Sequence, residues 1–339
     1  MGSVKDLKII EDAKENLPGI AEFIFSDRYS VFDWGEMPDL IENKGSSLCL
    51  IGSYFFEKMS KKGIKNHYIG VVENGEVKRI NEIKKATNRM RIKLLRVFKP
   101  KIINGKYDYS IYFEKKSNFL IPVEVIYRNF ISEGSSFLKR LREGKINIAN
   151  YGLKKIELNQ KLDEPIFEFS TKLEEIDRYI DREEVKRIAM ISNDEIDEIL
   201  GIAEKINGMI SDEVEKIGAR NEDGKIEFGM DEERNIIVVD VVGTPDECRF
   251  TINGIPISKE IARIYYRKTD WYNEIEKAKK IDAIGWRKLT PPPPLLRVEV
   301  KRCISSIYQA FCNEITGRRF FDVGSLKEII EELRVLSEG

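Results

Sequence analysis

From Lys225 to Phe228 charged and apolar positions alternate, which predicts a strand with Lys225 and Glu227 on one face and Ile226 and Phe228 on the other. A polar turn follows at 231–235. The β-branched run Ile236-Ile237-Val238-Val239 then returns as the second strand of a hairpin and delivers Asp240 at its end. Upstream, Asn74-Gly75 and Asn104-Gly105 mark two further hairpin turns, so the first 120 residues read mostly as strands with one or two helices. Helical periodicity takes over later. Ser192 and Glu195 make a capping box, after which Ile196, Ile199, Leu200, Ala203, Ile206, Ile210, Val214 and Ile217 recur as one core stripe. Helices are predicted over 258–272, capped by Ser258, and over 298–315. Between them Pro291 to Pro294 cannot be helical and form a stiff extended strap, or alternatively a polyproline ligand for a partner.

Composition narrows the function. With 57 basic and 58 acidic residues the chain is nearly neutral, which argues against a general electrostatic grip on nucleic acid. Its 339 residues can bury a sizeable core and are expected to form two lobes, 1–120 and 121–339. No apolar run approaches the roughly 20 residues of a membrane span. The N-terminus lacks the apolar segment of a signal peptide, so a cytoplasmic location is expected. Cys49, Cys248, Cys303 and Cys312 are widely spaced and expected to be reduced, with Cys248 a small packed residue rather than a nucleophile. The single histidine, His67, argues against a histidine-based triad or a multi-histidine zinc site within one chain. A structural hydrogen-bonding role is expected of it, with catalysis as the alternative.

The chemistry therefore rests on Lys, Arg, Asp and Glu. Glu227 and Asp240 converge at the hairpin with Lys225 and Arg249 close by, the set that a hard cation bridging nucleotide phosphates requires. A solvated charged strand face is the competing reading. Near the N-terminus, Gly2 allows close backbone approach and Lys5 supplies a point charge, but Gly-x-x-Lys is too short to carry weight alone.

These residues also carry a family resemblance. Asp223-x-Lys225-x-Glu227-Phe228-Gly229, then Asp240, then Thr244-Pro245-Asp246-x-x-Arg249, resembles the signature of the SAICAR synthetase family. Gly2 to Leu7, Ser26 to Asp33, Lys44-Gly45, Asn66-His67, Pro122-Val123-Glu124 with Arg128 and Gly134-Ser135, Pro165-Ile166-Phe167 with Thr171-Lys172, Gly285-Trp286, Pro291 to Pro294 and Ile315-Thr316-Gly317 match in the same order. The resemblance implies an α+β, two-lobed fold with a β-rich N-terminal lobe, a mixed α/β C-terminal lobe and an ATP site between them. It implies an ATP-dependent ligase that joins carboxyaminoimidazole ribonucleotide and L-aspartate through an acyl phosphate, with magnesium, and it permits a homo-oligomer. Gly2, Lys5 and Leu120 would then meet the nucleotide, and Glu227 and Asp240 the metal. Lys225 would stabilise charge on the transferring group, while Ser30, Arg128, Ser135, Lys172, Asp246 and Arg249 would hold the substrate. For Arg128 and Arg249 the alternative is an internal ion pair.

The chain also departs from the family pattern. Ser132-Glu133 adds one residue and a negative charge before Gly134, Asn221-Glu222 replaces two apolar residues, and Val241 and Glu247-Cys248 stand at other motif positions. Residues 98–118 look like an inserted hairpin just before Phe119-Leu120-Ile121, where the resemblance puts the adenine-holding hinge. The alternatives are a paralogous ligase on another carboxylate and amine, a small-molecule phosphotransferase, or a non-catalytic nucleotide-binding regulator. The joint presence of Lys5, Glu227 and Asp240 weighs against the last.

Overall fold

The computed structural model describes residues 4–114, 117–283 and 285–338. Its N-terminal part is an antiparallel sheet made of β1 (Lys5–Glu11), β2 (Gly19–Phe25), β3 (Tyr68–Glu73), β4 (Glu76–Lys78) and β5 (Arg89–Leu94), ordered β1-β2-β5-β3-β4. Helix α1 (Lys44–Lys61) packs on this sheet, with Phe56 stacked on Tyr68, and buries Leu48, Ile51, Phe55 and Met59. Both Asn-Gly pairs turn as expected. Asn74 and Asn104 take φ of 53° and 52° and the glycines after them 88° and 74°, the positive pair that a two-residue hairpin turn demands. The second pair joins β6 (Lys101–Ile103) to β7 (Lys106–Asp108), a two-stranded sheet of its own.

The second sheet is larger and carries the site. It contains β8 (Phe119–Phe130), β9 (Lys161–Thr171), β10 (Tyr179–Ile180), β11 (Arg220–Met230), β12 (Ile236–Val239), β13 (Cys248–Ile252) and β14 (Ile255–Pro256). The order is β10-β9-β8-β11-β13-β14, with β12 also on β11. β12 pairs residues 227–230 of β11 and β13 pairs residues 220–224, so the two strands share one edge and leave a gap between them. The hairpin read from the sequence is therefore present, with Met230 opposite Ile236 and the turn at 231–235. Around the sheet lie α2 (Ser136–Arg142), α3 (Arg182–Ala189) and α4 (Asn193–Glu215). The Ser192–Glu195 capping box starts α4, and the stripe Ile196, Ile199, Ala203, Ile206, Ile210, Val214 is buried.

The helix predicted over 258–272 is two helices, α5 (Glu260–Arg267) and α6 (Asp270–Ile281). Thr269 breaks it. Its backbone is extended and its hydroxyl donates to the Tyr266 carbonyl at 2.6 Å, a local bond that competes with helix continuation. Ser258 is not the N-cap: it stands one residue before Lys259, which holds that position without a side-chain bond, although Ser258 Oγ accepts the Glu260 amide at 3.2 Å. The proline strap forms neither helix nor strand and is held where Trp271 Nε1 donates to Pro291 O and Tyr266 OH to Pro294 O. Helix α7 (Val298–Thr316) ends at Gly317, whose φ is 66°, and α8 (Leu326–Glu338) follows. Among the described residues no helix is long and apolar enough to cross a membrane.

Candidate active site

Register puts one strip of charge across the middle of the large sheet. Asp223, Lys225 and Glu227 alternate along β11, and their neighbours on β8 bring Arg128 opposite Asp223 and Glu124 opposite Glu227. At about 3.3 Å per residue, Asp223 and Glu227 lie roughly 13 Å apart on one face. Ile226 and Phe228 point the other way into the core. The strip is not a solvated face, since Glu124, Arg128, Glu168 and Glu227 are all buried.

At one end of the strip is a cleft of about 650 Å³ lined by Lys5, Leu120, Lys172, Lys225, Glu227, Asp240 and Glu247, among others. The gap between β12 and β13 creates it, because the chain from Asp240 to Glu247 loops out beside Lys225, whose amide donates to Glu247 O at 3.1 Å. Lys225 Nζ meets three carboxylates, Glu227 at 2.8 Å, Glu124 at 3.1 Å and Glu247 at 3.4 Å. Lys5 pairs with Asp240 at 2.5 Å, and Lys172 pairs with Glu227. Asp240 has φ of 62°, a left-handed turn that swings its side chain toward Lys5, while His67 Nε2 donates to its carbonyl at 3.1 Å. Leu95, Leu120, Val239 and Leu173 add an apolar wall.

Burial would discharge these groups if they were alone. It opposes the charge of Lys225, yet Glu247, Glu227 and Glu124 hold its pKa well above the ordinary lysine value. It likewise opposes ionisation of Asp240, but Lys5, Lys172 and Lys225 keep that carboxylate below its usual range. Glu124 is the exception: burial pushes it up to about 7, with Lys225 pulling only partly the other way. Burial also lowers His67 to about 4, which agrees with a neutral ring that donates from Nε2 and with its expected structural role.

The other end of the strip holds a second cluster. Arg128, 3% exposed, donates from Nε to Glu168 at 3.0 Å, from Nη1 to Asp223 at 3.3 Å, and from Nη2 to Ser136 Oγ and Tyr179 OH, both at 2.9 Å. Arg140 binds Glu168 through both oxygens at 2.7 and 2.8 Å. Arg249, 22% exposed, lies 3.7 Å from Asp223 and donates to the Glu133 carbonyl at 3.1 Å. Ser135 is the N-cap of α2, its Oγ accepting the Leu138 amide at 3.3 Å. The Asp246 side chain is buried, bound to Lys44 Nζ at 2.7 Å and Tyr308 OH at 2.6 Å.

The structure thus brings together Lys5, Leu120, Lys172, Lys225, Glu227 and Asp240 in the cleft, and Arg128, Ser135 and Arg249 around the second cluster. Ser30 lies outside the cleft lining in the 26–43 loop, half-buried. Gly2 falls outside the described residues. Sequence reasoning gave no role to Glu247, which lines the cleft, or to Glu124, which reaches Lys225. Glu124 had a signal, a lone carboxylate in the apolar run 119–127.

Glu227 and Asp240 fit magnesium, which takes one or two protein carboxylates and completes its shell with phosphate and water. Among the described residues no three His, Cys, Asp or Glu side chains gather as a closed metal cage. Such a cage is not what a cation bridging phosphates needs.

A sequence model described as SAICAR synthetase matches residues 12–277 of the chain. The chain belongs to the SAICAR synthetase family. A relative from Archaeoglobus fulgidus named "Putative phosphoribosylaminoimidazole-succinocarboxamide synthase" is 51% identical over all of both chains. The phosphoribosylaminoimidazole-succinocarboxamide synthase of Thermoplasma volcanium is 33% identical, over 88% of this chain and 93% of its own. Among solved SAICAR synthetases, the Saccharomyces cerevisiae enzyme complexed with SAICAR superposes with a TM-score of 0.61 at 20% identity, covering 92% of this chain and 96% of that one. A further SAICAR synthetase, in complex with ADP, gives 0.57 at 24% identity and covers 87% and 99%. These two likenesses show the expected α+β fold. As a SAICAR synthetase the chain is a carbon–nitrogen ligase of purine biosynthesis.

Proposed function

We propose that this SAICAR synthetase joins carboxyaminoimidazole ribonucleotide to L-aspartate with ATP, giving SAICAR, ADP and phosphate, and that the sheet strip is where it does so. The observation that carries this reading is the spacing of the strip: a lysine-carboxylate cleft at one end and an arginine cluster at the other, with Lys225 between them. A carboxylate is a poor electrophile. Transfer of the γ-phosphoryl to it makes an acyl phosphate, from which the aspartate amine displaces phosphate.

In this reading Lys5 and Lys172 hold phosphate oxygens, and the apolar wall with Leu120 takes the adenine. Glu227 and Asp240 hold magnesium, which neutralises charge on the phosphates when bound. Their present lysine partners are the cations that phosphates would draw away. Lys225, kept charged by three carboxylates, faces the transferring group and stabilises its charge. At the acceptor end Arg249 is the better phosphate ligand, because Arg128 already has protein partners at Nε, Nη1 and Nη2 and so orients the others. Ser30, Ser135 and Asp246 complete the acceptor side, with Gly2 on the nucleotide. Two lobes, 1–120 and 121–339, a cytoplasmic setting, small-molecule partners and a homo-oligomer belong to the same proposal.

The test is ADP release with the ribonucleotide and aspartate supplied together and separately. Turnover requiring both is expected, with Glu227→Gln and Asp240→Asn each removing most of it and extra magnesium restoring part. Wild-type rates in both variants at limiting magnesium would sink the metal assignment, and ADP formation without aspartate would leave a phosphotransferase.

A further inference from the structure

The inserted segment before β8 touches the loop that carries Lys172. Tyr109 OH donates to Glu174 Oε1 at 2.9 Å, and Tyr107 OH accepts the Glu175 amide at 2.7 Å. Glu174 has a side chain only 2% exposed, so its carboxylate depends on protein donors, and Arg178 supplies the rest at 2.8 and 3.1 Å. The loop from 172 to 178 is tied at its ends by Lys172 N to Pro122 O and Arg178 N to Thr171 Oγ1, both at 3.1 Å. Tyr107 and Tyr109 hold its middle. Lys172 and Leu173 meanwhile face the cleft, Lys172 paired with Glu227.

The insertion is itself anchored away from this loop. Tyr112 is fully buried, donates to Phe98 O at 2.8 Å and packs edge-on against Phe119 with ring centres 5.7 Å apart. A two-stranded hairpin is marginal by itself, so docking through these tyrosines gives it a fixed place. Val97, just before the segment, and Lys99, at its start, line the cleft, whereas its strands reach across to the loop.

We infer that the inserted segment is a brace: Tyr107 and Tyr109 are positioning residues that hold the Lys172–Leu173 loop in its nucleotide-binding shape before ATP arrives. The inference rests on the nucleotide reading of the cleft given above. A loop ordered in advance loses less conformational freedom on binding, so the brace favours nucleotide affinity and leaves the acceptor end alone.

The experiment compares full-length wild type with Tyr107→Phe/Tyr109→Phe and with Tyr109→Phe alone, the milder change that serves if the double variant does not fold. ADP binding with magnesium is measured by calorimetry, KM for ATP and for the acceptor by steady-state rates, and amide hydrogen exchange at 173–177 by mass spectrometry. The expected result is ADP affinity weakened about tenfold in the double variant with acceptor KM within about twofold of wild type. Exchange at 173–177 should rise without nucleotide and fall back when ADP is added, a local signature that general destabilisation does not give. Wild type that fails to bind ADP would overturn the cleft reading itself. Wild type that binds ADP while both variants bind it equally well, or variants in which ATP and acceptor KM rise together, would overturn the brace.

Discussion

Lys44 and Asp246 offer the sharpest test of the electrostatics, because both are almost wholly buried, with side chains 0% and 4% exposed. Burial lowers the pKa of Lys44 against the pull of Asp246, while Lys44 and Lys259 hold Asp246 below the carboxylate range despite its own burial. Lys44→Met leaves the Asp246 carboxylate with Tyr308 as its close partner, and breaking a buried pair from one side costs about 3–5 kcal/mol. At about 2.1 cal/mol/K per residue, unfolding the 339-residue chain carries roughly 0.7 kcal/mol/K, so Tm should fall by about 4–7 °C. Asp246→Asn should also destabilise, since it strands a buried ammonium. Combining the two removes both charges yet leaves the Asn carbonyl to accept from Tyr308, so the double variant should recover at least half of the Lys44→Met loss. Differential scanning calorimetry of all four proteins at pH 7 decides it. A double variant whose loss equals the sum of the singles would mean that the pair does not interact, and an unchanged Tm in Lys44→Met would refute the desolvation argument.

Gly224→Ala should destabilise by about 1–3 kcal/mol, since a Cβ there would run into the hydroxyl of the fully buried Tyr127 and stand 2.8 Å from Cys248 Sγ. Adding Tyr127→Phe should return part of that in urea unfolding, and an undiminished midpoint in Gly224→Ala would contradict the packing. Glu213 is opposed by burial but held down to about 2 by Lys216, Lys58 and Tyr54, from an ordinary value of 4.5. Its contribution is present above pH 4.5 and lost as the pH falls toward 2, so the Tm of Glu213→Gln should lie below wild type at neutral pH and converge with it in acid. Parallel Tm–pH curves would count against this.

Local pattern determined a good part of this protein. The 225–239 hairpin, the two Asn-Gly turns and the α4 capping box were legible because each is fixed by residues a few positions apart: side-chain period, positive φ, a hydroxyl and a carboxylate three residues on. The resemblance supplied the family and the α+β class for the same reason, since its motifs are short and ordered. Helix 258–272 was misread because one threonine hydroxyl outcompeted a helical period that otherwise continued. What the chain could not announce was pairing at a distance. Glu124 faces Glu227 across 103 positions only because β8 and β11 are neighbours, and the same register sets Arg128 against Asp223. The pairing of Lys44 with Asp246, 202 positions away, is of the same kind. Burial then changed what these groups are. A charged alternation reads alike on a solvated face and in a desolvated strip, and only the layers packed around the sheet decide whether its carboxylates meet water or lysines.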